Sequence, residues 1–204
     1  MMKQFLKYAS PLCIIFIIAG LLSCSHSDTS SPAPETAIQL VGDGWQAYAN
    51  HQYQLALNKF NSAISLSGSM VDAYNGAGWS SAKLDQLSGA ATLFGRGNTR
   101  DTNNTDILAG LALVNNARKN YAASAANASA VLQKNAHWFF ERDTLVDYDD
   151  IRVVLAEDDY AVGDFNSSLA VVRLMDASFT ADVAGVQGQT ALAQEIERLR
   201  NLYQ

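Results

Sequence analysis

Residues Asn50–Leu66 read NHQYQLALNKFNSAISL. Tyr53, Ala56, Phe60 and Ala63 are spaced three, four and three apart, which puts all four on one face of a helix of 3.6 residues per turn. Alternating bulky and small side chains let a neighbouring helix come close, with rings filling the gaps beside the alanines. A single helix cannot bury such a stripe alone, so the pattern must find a partner.

It returns along the chain. Adding 34 to the positions of Gly44, Trp45, Tyr53, Ala56, Phe60 and Ala63 lands on Gly78, Trp79, Leu87, Ala90, Phe94 and Gly97. A second step of 34 gives Ala112, Leu113, Tyr121, Ser124, Ala128 and Val131. Self-similarity at a fixed period of this size marks stacked supersecondary units.

Over roughly residues 37–176 the chain resembles the tetratricopeptide repeat family, a helix–turn–helix unit with this same period. Gly44, Gly78 and Ala112 match the small residue of its first helix; Ala56, Ala90 and Ser124 match that of its second. Phe60 and Phe94 match the second-helix aromatic, which Ala128 lacks. The family's first-helix Trp and closing Pro are missing, with Leu40, Tyr74 and Leu108 at the former and Gly68 and Thr102 at the latter. The resemblance implies an all-α solenoid of helix pairs, a right-handed superhelix whose first helices line a concave groove.

The units are expected at 37–69, 70–103 and 104–135. In unit one the first helix covers Ile38–Asn50, His51-Gln52 turns, and Gly68 stops the second helix in the left-handed conformation. Unit two starts at Asp72, an N-cap or first-turn residue, and turns at Leu84–Asp85. Gly95 and Gly97 weaken the end of its second helix. Unit three begins at Asp106, and its Ala-, Ser- and Asn-rich second helix buries less apolar area. An insert at 136–149 breaks the register. In a fourth unit at 150–179, Gly163, Phe165, Ser168 and Val172 fit the template at an offset of 44, ten more than 34. In the last segment, 180–204, Leu192, Ile196, Leu199 and Tyr203 form a helical stripe opposite Gln194, Glu195, Glu197, Arg198 and Arg200. That pattern fits a capping helix, with a dimerising helix as the other reading.

At the N-terminus Lys3 and Lys7 precede an apolar run from Pro11 to Leu22, a signal-peptide pattern too short for a confident membrane span. Leu21-Leu22-Ser23-Cys24 resembles the bacterial lipobox. The resemblance implies cleavage of leader 1–23 and acylation of Cys24 by diacylglyceryl and palmitate-type chains, which together hold a protein stably on a membrane. Ser25 rather than Asp after the Cys implies the outer membrane, facing the periplasm. Ser- and Pro-rich residues 24–36 read as a flexible tether. Cys13 leaves with the leader, so no thiol remains for a disulfide.

The full chain of 204 residues carries 14 basic and 20 acidic side chains; without Lys3 and Lys7 the balance is 12 − 20 = −8. So acidic a chain does not suit nucleic acid. A hydrophobic fraction of 49% supports a core, and only 3 prolines suit long helices.

Carried onto this sequence, the family's groove positions are Val41, Trp45 and Tyr48, then Asn75, Trp79 and Lys83, then Leu113 and Asn116. Aromatics beside amides and a Lys suit an extended peptide; packing between repeats, or cover beneath the capping elements, is the competing role for both Trp. Val41 and Trp45 stand where chaperone-binding members carry the first Lys and Asn of a carboxylate clamp, which argues against that activity. The insert region is the second unusual stretch. Eight acidic residues lie between Glu141 and Asp159, beside Trp138, Phe139, Phe140, Tyr148 and Tyr160. They read as a solvated acidic edge over an aromatic plug, with a partner-binding knob or paired catalytic carboxylates as alternatives. The spacing lacks a calcium-loop pattern, no Ser nucleophile motif occurs, and His51 and His137 lie far apart, so no metal or cofactor is expected.

The expected function is a non-catalytic protein–protein interaction scaffold, not an enzyme. It would be lipid-anchored in the bacterial cell envelope and bind a protein or peptide through its concave groove, with no nucleic-acid partner and an oligomeric state left open. An envelope hydrolase using the carboxylates of 141–159, or a self-associating structural lipoprotein, are the alternatives. The nearest functional analogy is to repeat-containing lipoproteins of outer-membrane assembly machinery.

Overall fold

Four left-handed residues punctuate the backbone: His51 (φ 57°), Asp85 (φ 58°), Lys119 (φ 61°) and Gly163 (φ 86°). Their numbers rise by 34, by 34 again and then by 44. In each turn the following N–H reaches back over the helix end, from Gln52 to Ala47 O, Gln86 to Ser81 O, Asn120 to Asn115 O and Asp164 to Asp159 O. This six-to-one bond around a left-handed residue closes a helix and turns the chain. The repeat period and the insertion of ten are thus written in the backbone as well as in side chains.

The structure is a computed structural model and describes residues 35–203. The expected leader 1–23, the expected lipidation site Cys24 and nearly all of the expected tether lie outside the described residues. Nine helices and no strand occur among the described residues. The pairs are α1 (Ala37–Ala49) with α2 (Tyr53–Leu66), α3 (Val71–Lys83) with α4 (Leu87–Asn98), α5 (Thr105–Ala117) with α6 (Tyr121–Lys134), and α7 (Tyr148–Ala161) with α8 (Phe165–Met175). Each pairs internally, each second helix packs on the next first helix, and the first helices α1, α3, α5 and α7 touch in sequence to form one wall. Helix α9 (Val186–Tyr203) packs on α7 and α8 and closes the stack.

Local chemistry sets the starts. Thr36 and Gln39 form a capping box on α1, Asp147 and Asp150 do so on α7, and Asn104 and Asp164 cap α5 and α8 through their side-chain oxygens. Asp72 stands in the first turn of α3, whose cap residue Met70 offers no side-chain bond. The end of α2 corrects the expectation for Gly68. The helix stops at Leu66 because Ser67 is extended, and Gly68 is not left-handed. Its carbonyl instead accepts from the Tyr74 hydroxyl at 3.2 Å and Arg100 Nε at 2.7 Å, while Arg96 and Arg100 lie over the Tyr74 ring.

The helices interlock through two phenylalanine rings. Phe60 is fully buried between Gly44 of α1 and Gly76 of α3; Phe94 is fully buried between Gly78 of α3 and Gly110 of α5. A methyl built on any of these four glycines would lie closer than 3.0 Å to the ring. In unit three the ring position holds Ala128, and its register partner on α7 is Val154, both buried. Volume moves from one helix to the other and the density of the core is kept. Where unit one has Ala56 and unit two Ala90, Ser124 and Ser168 donate to the carbonyls of Ala112 and Ala156, each at 2.7 Å. These two bonds share the offset of 44.

Leu192, Ile196 and Leu199 of α9 are buried as the stripe requires. Three positions differ from the expected cap. Tyr203 is 36% exposed, Glu195 is 9% exposed and pairs with Arg198 at 2.6 Å, and Arg200 reaches back to Glu157 of α7.

Gly95 and Gly110 give a paired test. A Cβ at Gly95 meets nothing within 4 Å, so Gly95→Ala should raise stability by about 0.5–1 kcal/mol through helix propensity. Gly110→Ala carries the same propensity gain but drives a methyl into Phe94, and overpacking should leave it about 1–2 kcal/mol less stable than the parent. Urea unfolding of both variants measures the difference, and Phe94→Leu added to Gly110→Ala should recover part of the loss.

Candidate functional site

One turn of helix separates Val41, Trp45 and Tyr48 on α1, and likewise Asn75, Trp79 and Lys83 on α3, so each trio shares the wall made by the first helices. The structure brings both tryptophans to one place, where they meet the insert. Phe140 stacks on Trp79 with centroids 4.3 Å apart and planes at 19°, and it meets Trp45 and Tyr48 edge-on at 6.1 and 6.3 Å. Asp143 pairs with Lys83 at 2.7 Å, and Arg142 lies over the Trp45 ring.

The groove expected to stand open at these positions is therefore filled by the chain itself. Trp45, Tyr48 and Trp79 are buried, and Phe140 is fully buried among them. The cause is the hydrophobic effect: three rings on a bare wall would leave apolar area in water worth several kcal/mol. The insert supplies a fourth ring to cover it. A tight loop presents that ring, with Phe140 N–H on Val146 O, Asp143 N–H on Phe140 O and Val146 N–H on Asp143 O, all within 3.0 Å. Phe139 (51% exposed) and Leu145 (88%) point away from the wall. Two clefts flank the segment. One of about 550 Å³ is lined by Ile38, Val41, Trp45, Asp72, Glu141 and Arg142; the other, about 320 Å³, by Thr105, Asp106, Trp138, Phe139 and Glu141.

Asp72 and Asp106 occupy equivalent positions in successive repeats, and each holds an indole. Trp45 Nε1 donates to Asp72 at 3.1 Å, and Trp138 Nε1 of the insert donates to Asp106 at 2.9 Å. By register Asp106 stands to Trp79 as Asp72 stands to Trp45. Trp138 donates to that carboxylate instead, and Trp79 Nε1 is buried without a partner, as are Tyr48 Oη and Asn75 Oδ1. Each such orphan costs about 1–3 kcal/mol. Burial pushes the Asp106 carboxyl above its ordinary range while the Trp138 bond pulls it down, and burial pushes the Tyr48 phenol up.

Leu113 and Asn116 take no part in this cluster. Leu113 is half-buried against the core, and Asn116 Nδ2 donates to Asp158 Oδ1 at 2.9 Å and Glu157 Oε2 at 3.3 Å. Arg200 of α9 pairs with Glu157, so this second polar knot joins α5, α7 and α9. Burial raises the Asp158 carboxyl to about 6, against the bond from Asn116, and raises Glu157 despite Arg200. Six of the eight acidic residues of 141–159 have such structural partners: Asp143 on Lys83, Asp147 and Asp150 in a cap, Asp149 on Arg152 at 3.1 Å, Glu157 and Asp158 here. Of the eight, only Glu141 lines either flanking cleft. The roles of Asp72 and Asp106 went unread in the sequence, although the Asp–Asp interval, equal to the Trp–Trp interval, was available as a signal.

No family model matches the chain, and no curated protein matches it. Solved structures do. YrrB, described as a TPR protein with an unusual peptide-binding site, superposes with a TM-score of 0.64 at 13% identity over 81% of this chain and 87% of that one. A MamA structure gives 0.62 at 12% identity, covering 81% and 91%. A tetratricopeptide repeat protein from Parabacteroides merdae gives 0.59 at 16% identity, covering 84% of this chain and 65% of its own. The fold is the tetratricopeptide repeat solenoid.

The raised Asp158 carboxyl sets a pH dependence. The folded state holds this proton more tightly than the unfolded chain, so stability is greatest below the ordinary carboxylate pKa and falls as pH rises from about 4 through 6. Asp158→Asn keeps an acceptor for Asn116 and removes the buried charge. Thermal melts should show a variant about 1–2 kcal/mol more stable at pH 7.5, with a flatter profile between pH 4 and 6.

Proposed function

We propose that this protein is a non-catalytic scaffold that binds a partner protein or peptide on the wall formed by α1, α3 and α5. One observation carries the reading: Trp45, Tyr48, Trp79 and Lys83 already hold a short peptide, residues 138–143 of the same chain, by ring stacking and an ion pair. A surface that takes an aromatic and a carboxylate from its own chain has the chemistry to take them from another. The peptide-binding site described for YrrB, on the same fold, adds support by analogy.

The proposed setting is the bacterial envelope. Leu21-Leu22-Ser23-Cys24 supports lipidation at Cys24, and Ser25 supports delivery to the outer membrane, with the repeats facing the periplasm. Residues 24–34 would then tether the solenoid to the bilayer, since Glu35 pairs with Lys59 and Thr36 caps α1.

Two measurements test these parts separately. Growth with a clickable palmitate analogue should label the full chain and not Cys24→Ala, which should also leave the membrane fraction. A photo-crosslinking amino acid at exposed Gln46, on the rim of the larger cleft, should trap a discrete envelope protein, whereas the same group at exposed Asn61 on α2 should not. Equal capture from both sites, or from neither, would remove the groove as the binding surface.

A further inference from the structure

We infer that residues 138–143 are a displaceable internal ligand, and that the partner replacing them is a peptide with an aromatic side chain followed three positions later by a carboxylate. This deepens the scaffold reading and rests on it. The internal segment defines the pattern: Phe140 fills the space among Trp45, Tyr48 and Trp79, and Asp143, three positions on, meets Lys83.

The wall is incompletely satisfied by the segment that covers it. Trp79 Nε1, Tyr48 Oη and Asn75 Oδ1 are all buried without partners, and all three belong to the residues around Phe140 or the neighbouring turn of α3. An orphaned buried polar atom is costly, so a peptide that meets these groups gains over the segment that does not. An extended peptide brings N–H and C=O groups along its whole length and can meet Tyr48 and Asn75 while its ring takes the place of Phe140.

Departure of the segment is compensated at the other aspartate. When Trp138 leaves, Asp106 loses that donor and, by register, stands to accept from Trp79 as Asp72 accepts from Trp45 one unit earlier. The indole bond is exchanged rather than lost, so the partner needs no tryptophan of its own. Side chains hold the segment to α1, α3 and α5, whereas its backbone–backbone bonds run within the loop and to Asn135, and Phe139 and Leu145 already face solvent. As a tethered competitor it lowers the apparent affinity for any free peptide by the fraction of chains in which the wall is open.

The probe is a labelled synthetic peptide of the chain's own residues 139–145, FFERDTL, which carries the ring and the carboxylate but not Trp138. Phe140→Ser combined with Asp143→Asn should bind it at least about tenfold more tightly than the parent by fluorescence anisotropy. Lys83→Glu added to that variant should abolish the gain. A folded double variant with no gain overturns the proposal. Hydrogen exchange on the unmodified chain decides the matter even if that variant does not fold. Saturating peptide should speed exchange at the Phe140, Asp143 and Val146 amides and leave α2 and α4 unchanged, and unaltered exchange there overturns displacement. Failure here with cross-linking from Gln46 intact would leave the scaffold reading standing; loss of both would remove both.

Discussion

Each of the first two seams between units depends on one phenylalanine ring held between two glycines. Phe60 and Phe94 can sit flat in the stack only because Gly44, Gly76, Gly78 and Gly110 present bare backbone to them. Four glycines in helix interiors cost roughly 1 kcal/mol each in propensity. Burying two whole aromatic side chains outweighs that total, since losing either ring would cost about 3–5 kcal/mol. The arrangement fixes how closely α1, α3 and α5 approach, and so fixes the spacing of the residues on the wall they share. Trp45 and Trp79 bracket a third ring because the seams behind them are identical.

The insert turns that regular wall into a particular site. Its extra length carries Trp138, Phe140 and Asp143 back across three units, while the fourth unit resumes the same turn and the same serine-to-carbonyl bond. The site therefore has two origins. Its rings, its lysine and its two aspartates come from the repeat, and the side chains that now occupy them come from the interruption. The acidic character of 141–159 is largely consumed in caps and ion pairs, which is why a dense run of carboxylates produces no cluster facing a common cleft.

Most of the architecture was legible because the stripe Tyr53–Ala56–Phe60–Ala63 repeats at a fixed interval, and the interval alone dictates helix pairs. The turns at His51, Asp85 and Gly163 follow from the same register, and the inward face of α9 from its own stripe of Leu192, Ile196 and Leu199. The groove residues were legible as positions on a wall, with cover by capping elements as an alternative and an aromatic plug expected in the insert; which ring closes the wall was not legible. Covering is a long-range event: Phe140 lies more than a full repeat beyond Trp79 and further still from Trp45, and no local periodicity encodes which ring finds which. Gly76 and Gly110 were missed for a different reason. Their role depends on a ring from the preceding unit, so it shows only when the spacing of glycines is laid beside the spacing of phenylalanines. Gly68 misled in the opposite sense, since glycine near a helix end is a common left-handed stop, and here an extended Ser67 did that work.

The two glycine-lined seams have a consequence for ancestry. Phe60 meets Gly76 in the same way that Phe94 meets Gly110, so excising one whole repeat between them would bring Phe60 onto Gly110 with the fit unchanged. At these seams a gene could gain or shed a copy by unequal recombination with the ring-to-glycine fit itself unchanged. The junction after unit three lacks this freedom, because Val154 stands where a glycine would have to receive an incoming ring.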